Sequence, residues 1–210
     1  MNTSSVGPFR GASRYFVDAV AAVPLERYET RWSDEWRILD LIGHGNRANV
    51  LVVEYYERPA PVAGPDYGLP EKIAERARQA VKDLGDDPVA AVRTASDRAL
   101  AVVAAARDDA RVGTPFGERT LDTYLRSRTA ELVLHGLDLR TGLEPPPESV
   151  AECGAFLMDR AIQSGRGVDV VCALSGRGAC RQTSMCTEPV APQGSSVTAA
   201  GVRGIPPGAR

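Results

Sequence analysis

The two histidines of the chain, His44 and His135, are the side chains best suited to binding a metal ion. Around the second of them, four ionisable residues are spaced three, four and three positions apart: Arg128, Glu131, His135 and Asp138. In a helix this spacing places all four side chains on one face. Glu131 and His135 are one turn apart and can converge on a single ion, and imidazole and carboxylate groups are common ligands of zinc.

Two interpretations of this polar face are open. Four ionisable groups that face the inside of a helical bundle are costly to bury without partners, so either a metal ion or a network of ion pairs could satisfy them. A single histidine on an apolar face, as His44 is, is more often a core residue than a ligand. Two inward histidines with a carboxylate one turn away make the metal site a hypothesis of equal standing with the ion-pair network. The spacing matches neither HExxH nor the Glu-x-x-His motif of di-iron bundles.

Both histidines fall in segments with helical periodicity. The first segment begins at Ser33, a suitable N-cap, is followed by acidic residues that suit the helix dipole, and runs to about Glu57. The second runs from about Thr120 to Arg140 and is closed by a glycine. It carries an apolar stripe of the kind that packs into a core: Leu121, Leu125, Leu132 and Leu139.

The rest of the first 175 residues is also predicted to be mostly helical, after a frayed N-terminus of about ten residues. We expect helices over residues 14–23, 71–84, 89–107 and 148–163, and either a helix or a strand over 168–174. A turn is predicted at 112–117, and the Pro- and Gly-rich loop at 58–70 is a candidate for the mouth of a pocket. The predicted fold is all-α: a four-helix bundle with one or two extra helices over residues 10–175.

Residues 176–210 differ in composition from the rest of the chain. They are rich in Gly, Pro, Ser, Thr and Arg, and no periodicity continues through them, so we expect an irregular, disordered tail. Two origins are open for the segment from about Gly178: a divergent ending, or a frameshifted reading of the gene. A one-base shift in one possible set of codons for Gly178 to Cys186 would give Leu-Pro-Pro-Asp-Phe-Asn-Val, which places apolar and aromatic residues after a Pro-Pro pair.

Composition and charge narrow the classes of function. The net charge is −2 and no basic block is present, so a nucleic-acid surface is not indicated. No run approaches the ~18 apolar residues of a spanning helix, and the N-terminus lacks an apolar signal core, so we expect no membrane association and a cytoplasmic location. The four cysteines include no CxxC pair, which argues against a cysteine zinc site. Nothing in the sequence indicates an oligomeric state.

Three segments carry a resemblance to a known family: WSDEWRILDLIGHGNRAN at residues 32–49, TPFGERTLDTYLRSRTAELVLHGLDL at 114–139 and, more weakly, VVCALSGR at 170–177. Together they are similar to the mycothiol-dependent maleylpyruvate isomerase family, in its N-terminal DinB-like metal-binding domain. The resemblance implies a DinB-like four-helix bundle that binds zinc, or another divalent metal, through His44, Glu131 and His135. It also implies that Arg128 and Asp138 belong to the catalytic site, where they support the ligands or orient the substrate.

The function that the resemblance implies is a metal-dependent enzyme that uses a low-molecular-weight thiol, mycothiol. Three protein ligands leave a fourth zinc position open, where the thiol would be held as the reactive thiolate. The thiolate would add to the cis double bond of maleylpyruvate, allow rotation and leave, or it would attack another small electrophile in a thiol S-transferase. No protein cysteine is required for either reaction.

Other functions remain open beside this one. The family's isomerases carry a second, C-terminal α/β domain, which residues 176–210 do not resemble, so S-transfer stands beside isomerisation. The alternative to an enzyme is a non-catalytic metal-binding helical module with a structural or regulatory role. A third possibility is a relative without metal, in which the polar face is an ion-pair network. An open coordination position beside a pocket would favour the enzyme over the module.

Overall fold

The computed structural model describes residues 4–176, and within them the chain forms seven α-helices and one two-stranded sheet. A short 3-10 helix, Leu25–Arg27, follows the first α-helix. The α-helices are α1 Val6–Ala21, α2 Ile38–Glu57, α3 Pro70–Leu84, α4 Pro88–Ala105, α5 Leu121–Asp138, α6 Pro147–Gln163 and α7 Gly167–Leu174. The strands are β1 Arg111–Thr114 and β2 Gly117–Thr120.

Helices α1, α2, α4 and α5 form a closed four-helix bundle, since α1 and α2 each pack against both α4 and α5. Three further helices surround it: α3 lies against α2, α6 against α5 and α1, and α7 against α6. The bundle interior is apolar, and its largest fully buried side chains include Phe9, Phe16, Leu41, Ile42, Leu125 and Leu132. The predicted all-α bundle is confirmed, with three surrounding helices rather than the one or two expected.

Helix α5 follows its prediction closely. The Thr120 hydroxyl accepts a hydrogen bond from the Thr123 backbone N–H at 3.2 Å, which caps the helix where the sequence indicates. The four leucines of the predicted apolar stripe are all buried. Because one face of α5 is fixed against the core by these leucines, the neighbouring polar face is held in a defined orientation beside α2.

The start of helix α2 differs from the prediction, which placed its N-cap at Ser33. The helix begins at Ile38, where the Asp40 carboxylate accepts hydrogen bonds from the Arg37 backbone N–H and guanidinium, both at 2.9 Å. Upstream, the backbone N–H groups of Trp32 and Ser33 both donate to the Trp36 carbonyl, at 2.8 and 3.2 Å. The acidic and apolar residues that resembled a first helical turn form a tight reversal instead, stabilised by these bonds.

The segment predicted as a turn at residues 112–117 is a β-hairpin. Strands β1 and β2 pair antiparallel, with Val112 opposite Arg119 and Thr114 opposite Gly117. Four residues per strand are too few for alternation to be recognised in the sequence. The hairpin also anchors the loop before α3, because the N–H groups of Ala60 and Ala63 donate to carbonyls of the hairpin at 2.8 and 2.9 Å.

The predictions made near the two ends of the chain have different outcomes. The N-terminus is helical from Val6 rather than frayed to about residue 10, because Phe9 is buried in the bundle and the Ser5 N–H donates to Asp122 of α5 at 2.7 Å. The ambiguous run at 168–174 is the helix α7. The predicted disordered or frameshifted tail lies outside the described residues, apart from Gly176.

No helix among the described residues is long and apolar enough to cross a membrane.

A glycine follows each histidine and allows the helices to approach closely. A Cβ at Gly45 would lie 2.5 Å from the Phe16 ring and 3.1 Å from the His135 Cβ, and a Cβ at Gly136 would overlap the Tyr15 ring. Side chains of α1 therefore fill the space that a larger residue would need. The two glycines bring α1, α2 and α5 together at the level of the two histidines.

We predict that Gly45→Ala destabilises the protein by about 1–3 kcal/mol, because the added methyl group must displace the Phe16 ring or His135. The measurement is the denaturant midpoint of unfolding. Gly154→Ala is the matched control: it lies within α6 with open space around it, so it should stabilise the protein by about 0.5–1 kcal/mol. Equal effects of the two substitutions would contradict the close packing at Gly45.

Candidate metal site

The two histidines and Glu131 meet between α2 and α5. These helices run antiparallel, since the His44 and His135 rings lie 4.9 Å apart at one end of the contact and the Tyr55 and Tyr124 rings 5.9 Å apart at the other. His44, Glu131 and His135 each offer one ligand atom, and the three atoms lie within 4.8 Å of one another. This is the one group of its kind among residues 4–176, and it has the donor set of a metal site.

His135 lies between two carboxylates. Its Nε2 is 3.1 Å from Glu131 Oε2, and its Nδ1 is 3.3 Å from Asp138 Oδ2. Burial alone would lower the pKa of His135, but the hydrogen bonds to Asp138 and Glu131 outweigh it and raise the pKa to about 9. Burial opposes ionisation of Glu131, but its bond with His135 and the nearby Arg128 charge hold its pKa well below the usual range. Without a metal ion, the site is thus an imidazolium held by two carboxylates.

His44 has a different environment. Its Nε2 is 4.0 Å from Glu131 Oε2, and its ring meets the Trp36 ring edge to face with centroids 5.0 Å apart. Burial, together with the charge of His135 and two arginines, lowers the pKa of His44 to about 4, so its ring is neutral at ordinary pH. The buried Nδ1 has no hydrogen-bond partner among the described residues. A neutral imidazole is the form that binds metals, so the residues present fit a metal ion.

A pocket of about 790 Å³ opens beside this group, and His44 and Glu131 form part of its wall. The far wall comes from the loop before α3 and from the hairpin, where the Tyr67 and Phe116 rings meet edge to face at 5.4 Å. The guanidinium of Arg76 stacks over the Tyr67 ring at 4.2 Å. Part of the loop predicted as a pocket mouth therefore does line a pocket, which has the size of a small-molecule site.

The five residues predicted from the sequence lie together around the His135 ring. Arg128 lines the pocket one turn from Glu131, with its guanidinium carbon 4.9 Å from the Tyr124 ring centroid. Asp138 lies on the other side of the His135 ring and contacts its Nδ1. The catalytic roles assigned to Arg128 and Asp138 stay predictions.

Sequence reasoning missed three residues of this region: Trp36, Arg47 and Tyr124. A signal was present for the last two, because Arg47 is three residues after His44 and Tyr124 is seven before Glu131, which puts each on the same helix face as a candidate ligand. No comparable signal existed for Trp36, whose contact with His44 depends on the unpredicted reversal before α2.

Cys153 does not contribute a nucleophile to the pocket. It is a free cysteine in α6, only 5% exposed, and burial raises the pKa of its thiol. A reactive cysteine needs an accessible thiolate, which this residue lacks. Burial of Cys153 therefore excludes this residue as the source of thiol chemistry at the pocket.

The bundle thus brings two histidines and a glutamate together beside a pocket. This combination defines a helical protein with a candidate metal site. The family model described as the mycothiol maleylpyruvate isomerase N-terminal domain matches residues 9–140, and the chain therefore belongs to that family. The match covers both helices of the candidate site and confirms the DinB-like fold implied by the resemblance. Comparisons with curated proteins and with solved structures found no match.

We predict that the metal-free protein loses stability as the pH rises from about 6.5 to about 9. In this range the folded protein keeps a proton on His135, whose pKa is raised to about 9, while the unfolded chain has released it. The loss should reach up to about 3 kcal/mol and is measured as the thermal midpoint of chelator-treated protein at several pH values. In His135→Gln the loss over this range should be absent. An identical loss in the variant would show that other groups cause it.

Proposed function

We propose that the chain is a metal-dependent enzyme that activates a low-molecular-weight thiol, mycothiol, for the isomerisation of a small electrophile or for S-transfer to it. The observation that carries this proposal is the convergence of His44, Glu131 and His135 at the wall of a pocket, in a chain of this family. A cytoplasmic location, with a small thiol and a small electrophile as partners, is part of the same proposal.

His44, Glu131 and His135 would hold the metal ion, and zinc is the metal that we propose. Two imidazoles and one carboxylate form a donor set that zinc accepts and that leaves a position for a further ligand. Bound there, zinc would keep the sulfur of mycothiol as a thiolate, which is the nucleophilic form. His44 is already neutral, whereas His135 must release its proton before it can bind a metal ion.

Asp138 and Arg128 would support this chemistry in different ways. Asp138 would accept a hydrogen bond from the Nδ1–H of His135, which fixes the imidazole orientation and leaves Nε2, on the Glu131 side, to bind a metal ion. Arg128 faces the pocket, where its positive charge can orient an approaching substrate.

A non-catalytic metal-binding module is the competing function. In such a module protein groups usually fill all four zinc positions, whereas the candidate group within residues 4–176 has three members. Two of these three also line the pocket. Both observations support the enzyme over the module.

The first test is the metal content of protein purified without chelator. We expect about one zinc per chain, and a loss of at least ~10- to 100-fold in zinc affinity in His44→Ala, Glu131→Gln and His135→Ala. Asp97→Asn, an exposed substitution in α4, is the control and should retain zinc. No stoichiometric metal in the unmodified protein would remove the proposed mechanism.

The zinc-loaded protein should then be given mycothiol with maleylpyruvate and, separately, with a general thiol-reactive electrophile such as monobromobimane. Turnover of either, dependent on mycothiol and lost in His135→Ala, is the expected result. Full zinc occupancy without turnover of either electrophile would favour the non-catalytic module.

A separate prediction concerns Asp138→Asn. Because the amide cannot hold His135 as a carboxylate does, zinc affinity should fall by ~10- to 100-fold while the fold is retained. Competition with a chromophoric chelator measures the affinity, and Asp97→Asn controls for the loss of one negative charge. An unchanged affinity would mean that Asp138 does not support the metal ligand.

A further inference from the structure

The pocket beside the candidate metal group is strongly basic, although the chain as a whole has a net charge of −2. Six arginines line it, against two carboxylates: Arg47, Arg76, Arg119, Arg126, Arg128 and Arg160, with Glu131 and Asp159. Both carboxylates already have partners, since Glu131 bonds to His135 and Asp159 pairs with Arg126 at 2.9 Å. The pocket therefore has an excess of positive charge, which attracts anions.

The arginines differ in how far they are already engaged. Arg126 pairs with Glu152 and Asp159, and Arg76 donates to the Tyr67 carbonyl while it stacks on the Tyr67 ring. Arg119 and Arg160 are exposed. Arg47 and Arg128 are half-buried, and neither has a carboxylate within ion-pair distance among the described residues. These two are the half-buried guanidinium groups of the pocket that lack a carboxylate partner among the described residues, and Arg128 uses only its Nε, which donates to the Ser127 hydroxyl at 3.3 Å.

Tyr124 adds a second, independent observation at the same place. It is 5% exposed, lines the pocket, and its hydroxyl has no hydrogen-bond partner among the described residues. The Arg128 guanidinium lies over its ring at 4.9 Å. A buried hydroxyl without a partner is unfavourable, and a ligand oxygen bound between the arginines would supply that partner.

We propose that Arg47, Arg128 and Tyr124 form a subsite for a carboxylate of the bound electrophile. Guanidinium groups bind carboxylates with paired, charge-assisted hydrogen bonds. Apolar groups of the pocket, including Leu51, Ile73 and Phe116, would contact the rest of the molecule. Arg47 follows His44 and Arg128 precedes Glu131 by one helical turn each, about 5 Å along the axes, so the carboxylate lies a few atoms from the reacting group.

This inference deepens the proposed function, on which it rests for the reaction, but the binding step can be tested without thiol or turnover. The probe is 4-fluorobenzoate, followed by fluorine NMR, with 4-fluorobenzamide as its neutral counterpart. We expect the carboxylate to bind the protein at least ~10-fold more tightly than the amide. Equal affinities for the two probes would overturn the proposal.

Substitutions then assign the subsite. Arg47→Gln and Arg128→Gln should each weaken 4-fluorobenzoate binding by roughly 10- to 100-fold, and Tyr124→Phe by about tenfold, because each removes a hydrogen bond to a charged group. Tyr124→Phe should keep or raise the thermal midpoint, since the hydroxyl has no partner without ligand. Arg98→Gln, an exposed change of equal charge in α4, should leave binding unchanged. Unchanged binding in the three subsite variants would overturn the assignment.

The carboxylate of the probe could bind a metal ion instead of the arginines, and a thiol ligand could bind to the same arginines. Two further experiments separate these cases. His135→Ala should lose zinc but keep most of its affinity for 4-fluorobenzoate; loss of both would show that the probe binds the metal and would overturn the subsite. Displacement of the bound probe by mycothiol would show that the subsite binds the thiol, and would overturn its assignment to the electrophile. If zinc binding or turnover fails while these binding results hold, the proposed function fails and the subsite stands.

Discussion

The close contact between α2 and α5, with α1 packed across them, is the constraint on which the candidate site depends. His44 and His135 come from segments more than 90 residues apart, yet their rings lie 4.9 Å from each other. Glycines directly after both histidines allow this approach, because the Phe16 and Tyr15 rings of α1 occupy the space of their missing side chains. Packing of small against large residues in the core therefore sets the geometry of the polar group beside it.

Charge balance is the second constraint. Glu131 and Asp138 both approach His135, so a positive centre between them is favourable, and the raised pKa of His135 shows that a proton can supply it. A divalent ion bound by His135 would replace that proton as the source of positive charge. His44 has no such carboxylate bond and stays neutral. The two histidines are therefore unequal: one is a ready ligand, and the other exchanges a proton for the ion.

The sequence predicted those parts of the protein that depend on local periodicity. Helix α5, its start near Thr120 and its leucine stripe follow from spacing alone, and the same spacing brought Arg128, Glu131, His135 and Asp138 onto one face. The errors lie where non-local bonds decide the structure. The carbonyl of Trp36 closes a reversal that a capping pattern at Ser33 concealed, and the short strands form through their pairing with each other. The basic pocket was missed because its arginines come from five different elements of a chain whose overall charge is slightly negative.

The position of Arg128 bears on the choice between a metal site and an internal ion-pair network. In a network, the arginine one turn from Glu131 would be the natural partner of that carboxylate. Arg128 instead lies over the Tyr124 ring and donates to the Ser127 hydroxyl at 3.3 Å, and Glu131 is left to the two histidines. The arrangement separates the charges into a carboxylate–imidazole group at one end of the α2–α5 contact and guanidinium groups along the pocket. Such an arrangement suits a site that receives a cation at one end and an anion at the other.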